Sequence, residues 1–341
     1  MKHMDRRTKI LATVSVLAVM LVLSVLLDLS WAGQHSLSLK EVWDALIGRG
    51  TWANDIIVNN LNAPRVVFGV FVGAGLGVTG GVMQAVFKNP LASPYILGLS
   101  SGASLGAAVA ILFAIPIIPL AIVQPMLAFV FCFGTMLLVY ILSRSGGGTK
   151  TETLILAGVA VSSLLSAVVS FMTYIAPSEQ MQSIVFWSMG SLSMVKWENM
   201  AFSIPIIVVG IIIMIFQSKN LNAMMLGDAH ASDLGVDVRK TRLVILLISS
   251  LVVAAAVAFV GAIGFIGLVI PHIFRILLGP DNRVVLPLTA FGGAAFILLC
   301  DYAAHIAAPY VGVLPIGIVT AFIGAPFFIY LLSRKKSEVG W

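Results

Sequence analysis

Ten long apolar segments dominate this sequence and constrain its fold more than any other feature. A helix of about 20 apolar residues crosses the hydrocarbon core of a bilayer, so the segments predict an all-α integral membrane protein with about ten transmembrane helices. Residues 262–267 are expected to form a broken stretch that lines a cavity, the setting in which a membrane tolerates one. The segments are 10–29, 64–86, 94–115, 120–143, 152–174, 199–217, 241–261, 268–279, 285–307 and 314–333.

The composition excludes several classes of protein. Of all residues 60% are hydrophobic and 10% are charged, whereas a soluble domain carries about 25% charged residues. A soluble enzyme, a nucleic-acid-binding protein and a disordered chain are therefore ruled out. The uncharged run 10–27 is too long for a signal peptide, and no A-x-A-like cleavage site follows it, so we expect a retained first helix. The cysteines, Cys132 and Cys300, lie in apolar runs and are expected to pack.

The distribution of basic residues predicts the topology. Ten spans place both termini on one side of the membrane. Of the 20 Lys and Arg residues, only four, Lys40, Arg49, Arg65 and Lys196, fall on the other side, and the other 16 fall on the side of the termini. The positive-inside rule then places both termini in the cytoplasm of a multi-pass protein of the cell membrane.

The connections between the spans contain no second domain, so residues 1–341 form a single transmembrane domain. External loops are expected at about 30–63 and 175–198, the first with a short interfacial helix over Leu39–Ile47. The loop at about 218–240 is cytoplasmic and is predicted to hold two short helices separated by Gly227 and closed by Gly235. Such a loop is either a docking surface or a plain connector, and the pattern favours docking.

Two glycine-rich motifs resemble nucleotide sites but do not meet their requirements. The G-x-G-x-x-G pattern at 75–80 lies inside a span, so we interpret Gly69, Gly73, Gly77 and Gly81 as a helix-packing stripe. The turn at 146–151 lacks the glycine before Lys150 that a phosphate loop needs. No catalytic or metal-ligand constellation is visible, so the chain is predicted not to be an enzyme.

An ion-coupled secondary transporter is the alternative class. Asp301 and His305 lie four residues apart on one helix face and could form a proton relay. One such pair near a helix end gives this alternative little support. A path so poor in charge suits a large substrate that is passed along without tight binding.

Five sequence blocks resemble those of the FecCD-type permeases. Residues 80–98 read GGVMQAVFKNPLASPYILG, which is similar to the family block G-x-x-x-Q-x-x-x-x-N-P-L-A-x-P-x-x-L-G. The other blocks follow in order at 187–191, 221–235, 261–275 and 314–328. These permeases are the membrane subunits of type II ABC importers for iron–siderophores, haem and vitamin B12.

The resemblance implies a type II ABC importer permease fold and a set of partners. A second permease subunit, identical or a close homologue, would complete the translocation path. Two ATP-binding subunits would bind ATP and Mg, so this chain itself needs no cofactor. An external binding protein would deliver the substrate. Ferric siderophore is the predicted substrate; cobalamin, haem and molybdate stay open. Apart from these proteins the chain contacts membrane lipid, and no nucleic acid is expected.

The resemblance also assigns site residues. The translocation path and gate would include Gln84, Asn89, Pro90 and Thr151. The residues that would couple to the ATPase are Leu221, Asn222, Leu226, Gly227, Asp228, Ala231, Leu234 and Gly235.

The chain departs from the family at the positions that would dock the binding protein. The family often has R-x-P-R where this chain reads Asn62-Ala-Pro-Arg65, and D-x-x-A-R where it reads Asp301-Tyr-Ala-Ala-His305. Val313 stands where a glutamate is common. Docking is therefore expected to rely on Arg65, with Asn62 and His305 beside it and fewer salt bridges than usual.

Overall fold

The computed structural model describes residues 5–32, 35–113, 118–144 and 151–334, and this part of the chain is almost entirely helical. A two-stranded antiparallel ladder pairs β1 (Trp31–Ala32) with β2 (His35–Ser36). A π-helical segment, Ile56–Asn62, leads into α4, and a single 3-10 turn, Pro94–Leu97, precedes α5. The α-helices are α1 (Arg6–Ser30), α2 (Leu39–Leu46), α3 (Trp52–Asp55), α4 (Ala63–Val86), α5 (Leu99–Leu112), α6 (Leu120–Arg144), α7 (Thr151–Ile175), α8 (Ser178–Met189), α9 (Trp197–Phe216), α10 (Ser218–Met225), α11 (Asp228–Asp233), α12 (Val238–Val260), α13 (Ile266–Leu278), α14 (Asn282–Ile306), α15 (Ala308–Val311) and α16 (Ile316–Arg334).

The predicted spans coincide with helices. In the described part of the chain, seven helices are long and apolar enough to cross a membrane: α1, α4 with the helical turns before it, α6, α7, α9, α12 and α14. Three shorter apolar helices, α5, α13 and α16, match the remaining predicted segments. The all-α membrane architecture is therefore confirmed, and of these three helices α5 and α13, with 14 and 13 residues, are shorter than a full span.

The α4 helix forms the centre of the bundle, and its glycines explain why. A Cβ at Gly73 would overlap the backbone of Gly293 in α14, and a Cβ at Gly77 would meet the carbonyl of Thr289. Gly69 and Gly81 also face α14, against Leu298 and Leu286. The predicted packing stripe is confirmed, because small residues on one face allow two helix backbones to touch.

The predicted break in the membrane lies between α12 and α13. Gly261 has a φ of 71° and Phe265 a φ of 67°, and residues 261–264 have no regular structure. The α13 helix has 13 residues, which corresponds to about 20 Å, less than the roughly 30 Å hydrocarbon core. The break, which we call the 261–265 break, therefore lies within the span of the bundle.

The segments between the spans are more helical than the sequence indicates. The α2 helix begins with a capping box, in which Ser38 and Glu41 exchange hydrogen bonds, and it confirms the short helix predicted there. Residues 178–189 form α8, which the sequence analysis treated as loop. The backbone N–H of Ser191 donates to Val260, and Gly190 accepts from Ile316. The end of α8 therefore joins the 261–265 break to the start of α16.

Candidate functional site

The 218–240 loop folds into two short helices, as predicted. Gly227, with a φ of 125°, separates α10 from α11, and Gly235, with a φ of 82°, ends α11. Both values lie in the region that favours glycine, because a Cβ there is strained. The two glycines therefore give the loop its fixed shape.

The predicted coupling residues divide between two faces of this loop. Leu221 is fully buried in the main core and attaches the loop to the bundle, whereas Ala231 is fully buried in a small cluster that packs α11 on α10. Leu226 and Leu234 are 70% and 67% exposed. The loop is held in place by its buried residues, so its two exposed leucines offer an apolar surface to another protein.

Asp228 attaches the start of α11 to two other elements. Its carboxylate accepts from Lys88 Nζ at 2.9 Å and from Arg242 Nη2 at 2.8 Å. Partial burial alone would raise its pKa, but these two hydrogen bonds outweigh that effect and hold the pKa of Asp228 below its ordinary value. Asp228 is therefore a charged residue that holds α11 to Lys88 and Arg242 through ion pairs within the chain. Its side chain is also half-exposed.

Asn222, a predicted coupling residue, is partly buried and forms hydrogen bonds within the chain. Its Oδ1 accepts from the backbone N–H and the side-chain amide of Asn282, both at 2.8 Å, and its Nδ2 donates to Asp281 at 2.7 Å. Hydrogen bonds from Arg283 hold the pKa of Asp281 well below its ordinary value. The N-terminus of α14 is thus tied to α10.

The predicted path and gate residues occupy three different settings. Gln84 is buried where α4 packs on α13, and its amide donates to backbone carbonyls of α13. Pro90 is buried, and Asn89 accepts a hydrogen bond from the backbone N–H of Leu91. Thr151 is the first residue of α7, and the turn at 145–150 before it lies outside the described residues.

The predicted docking residues are buried in this structure. Arg65 is 6% exposed, and Asn62 and His305 are buried with it. The Arg65 guanidinium lies 3.1 Å from Asp28 and 3.0 Å from Asp301. Its charge is paired inside the chain, and its contact with a binding protein stays a prediction. We call Asp28, Arg65, Asp301 and His305 the Arg65 cluster.

The geometry of the Arg65 cluster fixes the state of His305. Arg65 Nη1 lies 2.6 Å from His305 Nε2, and a guanidinium has only donors, so this nitrogen accepts. The other ring nitrogen, Nδ1, then carries hydrogen and lies 2.9 Å from the carbonyl oxygen of Asp301. Asn62 completes the contact by donating to the carbonyls of Leu29 and Trp31 at the end of α1.

The Arg65 cluster also contains the one group of acidic and histidine side chains in the described residues close enough to hold a metal ion. Arg65 contacts Asp28, Asp301 and His305 itself, so a guanidinium occupies the position that a cation would take. The arrangement joins the ends of α1, α4 and α14 and is not a ready metal centre.

Sequence reasoning missed two parts of these sites. Asp28 lies in the last turn of the first span. A carboxylate so close to lipid is expected to pair with a basic side chain, and this was the signal that could have predicted its buried partner. A group of hydroxyls also lies between α5 and α7, where Ser101 Oγ is 2.9 Å from Ser162 Oγ and 3.1 Å from Ser166 Oγ. Small polar side chains of this kind join helices in lipid.

A bundle with seven helices long and apolar enough to cross a membrane in its described part defines a multi-pass membrane protein. Over residues 17–334 the sequence matches the model of the FecCD transport family. The chain belongs to this family.

Relatives and a solved structure give the same result. The chain is 42% identical over 281 residues to the cobalamin import system permease BtuC of Halobacterium salinarum, covering 82% of this chain and 74% of that one. It is 38% identical over 328 residues to the hemin transport system permease HmuU of Yersinia pestis, covering 94% and 96%. A solved structure, described as an inward-facing conformation of a metal-chelate type ABC transporter, superposes with a TM-score of 0.83 at 34% identity, covering 93% of this chain and 97% of that one. The fold is that of a type II ABC importer permease.

Proposed function

We propose that this chain is the membrane-spanning subunit of an ATP-driven importer and that its 218–240 loop docks a separate ATP-binding subunit. The observation that carries the proposal is the exposure of Leu226 and Leu234 on a loop that is otherwise anchored by buried contacts. Two ATP-binding subunits would hold ATP and Mg, and the permease chain would need no cofactor. The side that carries the loop and the N-terminus of α1 would be cytoplasmic, which the excess of basic residues there supports.

The remaining partners follow from the surface of the bundle. The α7 and α16 helices expose large apolar side chains, among them Leu164, Phe171 and Phe322. We propose that a second permease subunit and lipid cover them and that Thr151 lies at the inner mouth of the path between the two subunits. An external binding protein would dock on the opposite side, with Arg65, Asn62 and His305 as the predicted docking residues.

We propose a metal chelate as the substrate, with a ferric siderophore as the first choice because it is frequent in the family that the chain resembles. The names of the relatives support the wider class, since one is a cobalamin permease and another a hemin permease. Charge is nearly absent from the described part of α7, where Glu152 in the first turn is the one ionisable side chain other than Tyr174. Such a helix suits a bulky ligand that is released from the binding protein and not held tightly.

The alternative of an ion-coupled transporter loses its main support. Asp301 and His305 were the residues for a proton relay, but the ion pair and hydrogen bond with Arg65 engage both. A relay needs a group free to exchange its proton along the path.

Uptake by a strain that lacks this chain tests the substrate. Labelled ferric siderophore, haem, cobalamin and molybdate are supplied in parallel, with and without a rescuing copy of the gene. We expect loss and rescue for one metal chelate only. Loss of cobalamin or haem uptake keeps the importer and replaces the siderophore, whereas loss of molybdate uptake alone contradicts a metal chelate.

Replacing Leu226 by Asp is expected to prevent docking of the ATP-binding subunit. Burying an unpaired carboxylate in an apolar contact costs several kcal/mol, which lowers association by about a hundredfold or more. Co-purification of the ATPase subunit with tagged permease measures the effect, and Leu226→Met, which keeps the apolar surface, is the control. Equal recovery of the ATPase with both variants would contradict docking at this loop.

A further inference from the structure

Arg275 of α13 lies buried and forms hydrogen bonds with groups of α4, α10 and α14. All of these acceptors are neutral. Its guanidinium donates to the carbonyl of Gly81 at 2.9 Å, to Asn282 Oδ1 at 3.0 Å, to the carbonyl of Pro280 at 3.2 Å and to Gln84 Oε1 at 3.4 Å. In the described part of the chain no carboxylate lies within ion-pair distance of it. A buried cation without a counter-ion depends on its hydrogen bonds, so its position is fixed by all of these acceptors together.

One end of this network is the 218–240 loop. Asn282, which accepts from Arg275, donates through both its backbone N–H and its side-chain amide to Asn222 of α10. Asn282 is fully buried, so water does not replace these bonds. A displacement of α10 is therefore passed to Asn282 and from there to Arg275.

The other end of the network is the first turn of α13, where a proline leaves a backbone acceptor free. Pro271 has no N–H, so the carbonyl of Gly267 lacks its usual helical donor four residues on. Gln84, whose Oε1 accepts from Arg275, turns its Nε2 to the carbonyls of Leu268 at 3.1 Å and Gly267 at 3.4 Å. Arg275 and Gln84 thus hold the turn that follows the 261–265 break.

The 261–265 break contacts the elements that border the proposed path. The Tyr95 hydroxyl donates to the carbonyl of Ile263 at 2.7 Å. The Phe265 side chain lies directly against Gly324 of α16, where a Cβ would overlap it. A shift of the first turn of α13 therefore reaches the 3-10 turn before α5 and the middle of α16.

We propose that Arg275 is a positioning residue that passes movement of the 218–240 loop to the 261–265 break through Asn282 on one side and Gln84 on the other. The proposal rests on the proposed function, because ATP-driven movement of the loop requires the docked ATPase subunit. Arg275 contacts neither ATP nor substrate. It holds Asn282 and Gln84 in fixed positions, so that movement of the 218–240 loop reaches the 261–265 break.

A single cysteine in the break gives a direct readout. Gly264 is partly exposed, its φ is not in the left-handed region, and a Cβ there meets no atom within 4 Å, so Gly264→Cys fits without strain. The native Cys132 and Cys300 are both fully buried and give little background. The permease is assembled with its ATP-binding subunits in lipid nanodiscs, and the rate of labelling by a water-soluble maleimide is measured with and without ATP and vanadate.

Two variants and one control test the assignment, all in the Gly264→Cys chain. Arg275→Met removes the centre of the network, and Gln84→Met removes only its link to α13 while Arg275 keeps its bonds to Gly81, Pro280 and Asn282. Both are expected to reduce the ATP-dependent change in labelling rate by about fivefold or more, with ATP hydrolysis kept within about twofold. Arg49→Met, which removes the same charge from an exposed site away from the network, is expected to change neither quantity. Arg275→Lys is expected not to rescue, because an ammonium does not reproduce the planar fork.

The outcomes separate this proposal from the proposed function. If no ATP-binding subunit assembles with the unchanged permease, the importer assignment itself fails. If the complex assembles and both variants keep the full ATP-dependent change in labelling, the role of Arg275 is wrong and the importer stands. Absence of any ATP-dependent change in the Gly264→Cys chain also overturns it. Should Arg275→Met fail to assemble, Gln84→Met decides alone.

Discussion

Replacing Arg65 by Met is expected to destabilise the folded chain by about 3–5 kcal/mol, the usual cost of removing one partner from a buried ion pair. Without the guanidinium, Asp28 and Asp301 remain buried next to each other with no positive charge between them. Three helix ends lose their common contact. The measurement is the thermal unfolding midpoint of the purified permease in detergent, followed by tryptophan fluorescence.

A matched control and a rescue make this result specific. Arg283→Met removes an exposed arginine that is also paired with an aspartate, and exposed pairs contribute about 0–1 kcal/mol. Combining Arg65→Met with Asp28→Leu and Asp301→Leu is expected to recover most of the lost stability, since apolar replacements of buried ion pairs are often neutral. A triple variant no more stable than Arg65→Met would show that the cluster contributes something other than paired charge.

Replacing Gly80 by Ala is also expected to destabilise the folded chain, for a steric reason. A Cβ at Gly80 would overlap the backbone of Gly267 in α13. The neighbour is backbone and not a flexible side chain, so α4 and α13 must move apart. Overpacking of this kind costs about 1–3 kcal/mol and occasionally more, and here it also shifts the turn that Gln84 holds.

Gly134 supplies the control for this substitution. It lies inside α6, and a Cβ there meets no atom within 4 Å. Gly134→Ala is expected to stabilise the protein slightly, because Ala exceeds Gly in helix propensity by up to about 1 kcal/mol. Unfolding midpoints of the two variants are compared in the same detergent. A Gly80→Ala protein as stable as Gly134→Ala would contradict the contact between α4 and α13.

The spans were predictable because burial in lipid imposes a length and a composition on each helix separately. The α8 helix was not, since Ser178, Glu179 and Gln180 give its first turn the polarity of a loop. The short helices of the 218–240 loop were predictable from Gly227 and Gly235, whose positions mark helix ends.

The side-chain partners were not predictable, because they join residues far apart in the chain. Arg65 and Asp28 are 37 positions apart, and Arg275 and Gln84 are 191 apart. A single sequence shows that Arg65 is a cation near the membrane boundary but not that acidic groups on two other helices surround it. The ion pairs of Arg65 were missed for this reason, and the hydrogen bonds of Asn222 depend on where α14 begins.

The glycine contacts of α4 have a mechanical consequence. Gly73 meets Gly293, and Gly80 meets Gly267, so backbone lies against backbone with no side chain between them that could change rotamer. Such contacts leave no side chain to absorb a small displacement, so a shift of α14 or α13 is passed directly to α4. Any alternation between two shapes of this permease then draws these three helices along together, and the 261–265 break and the turn before α16 are where the neighbouring helices follow them.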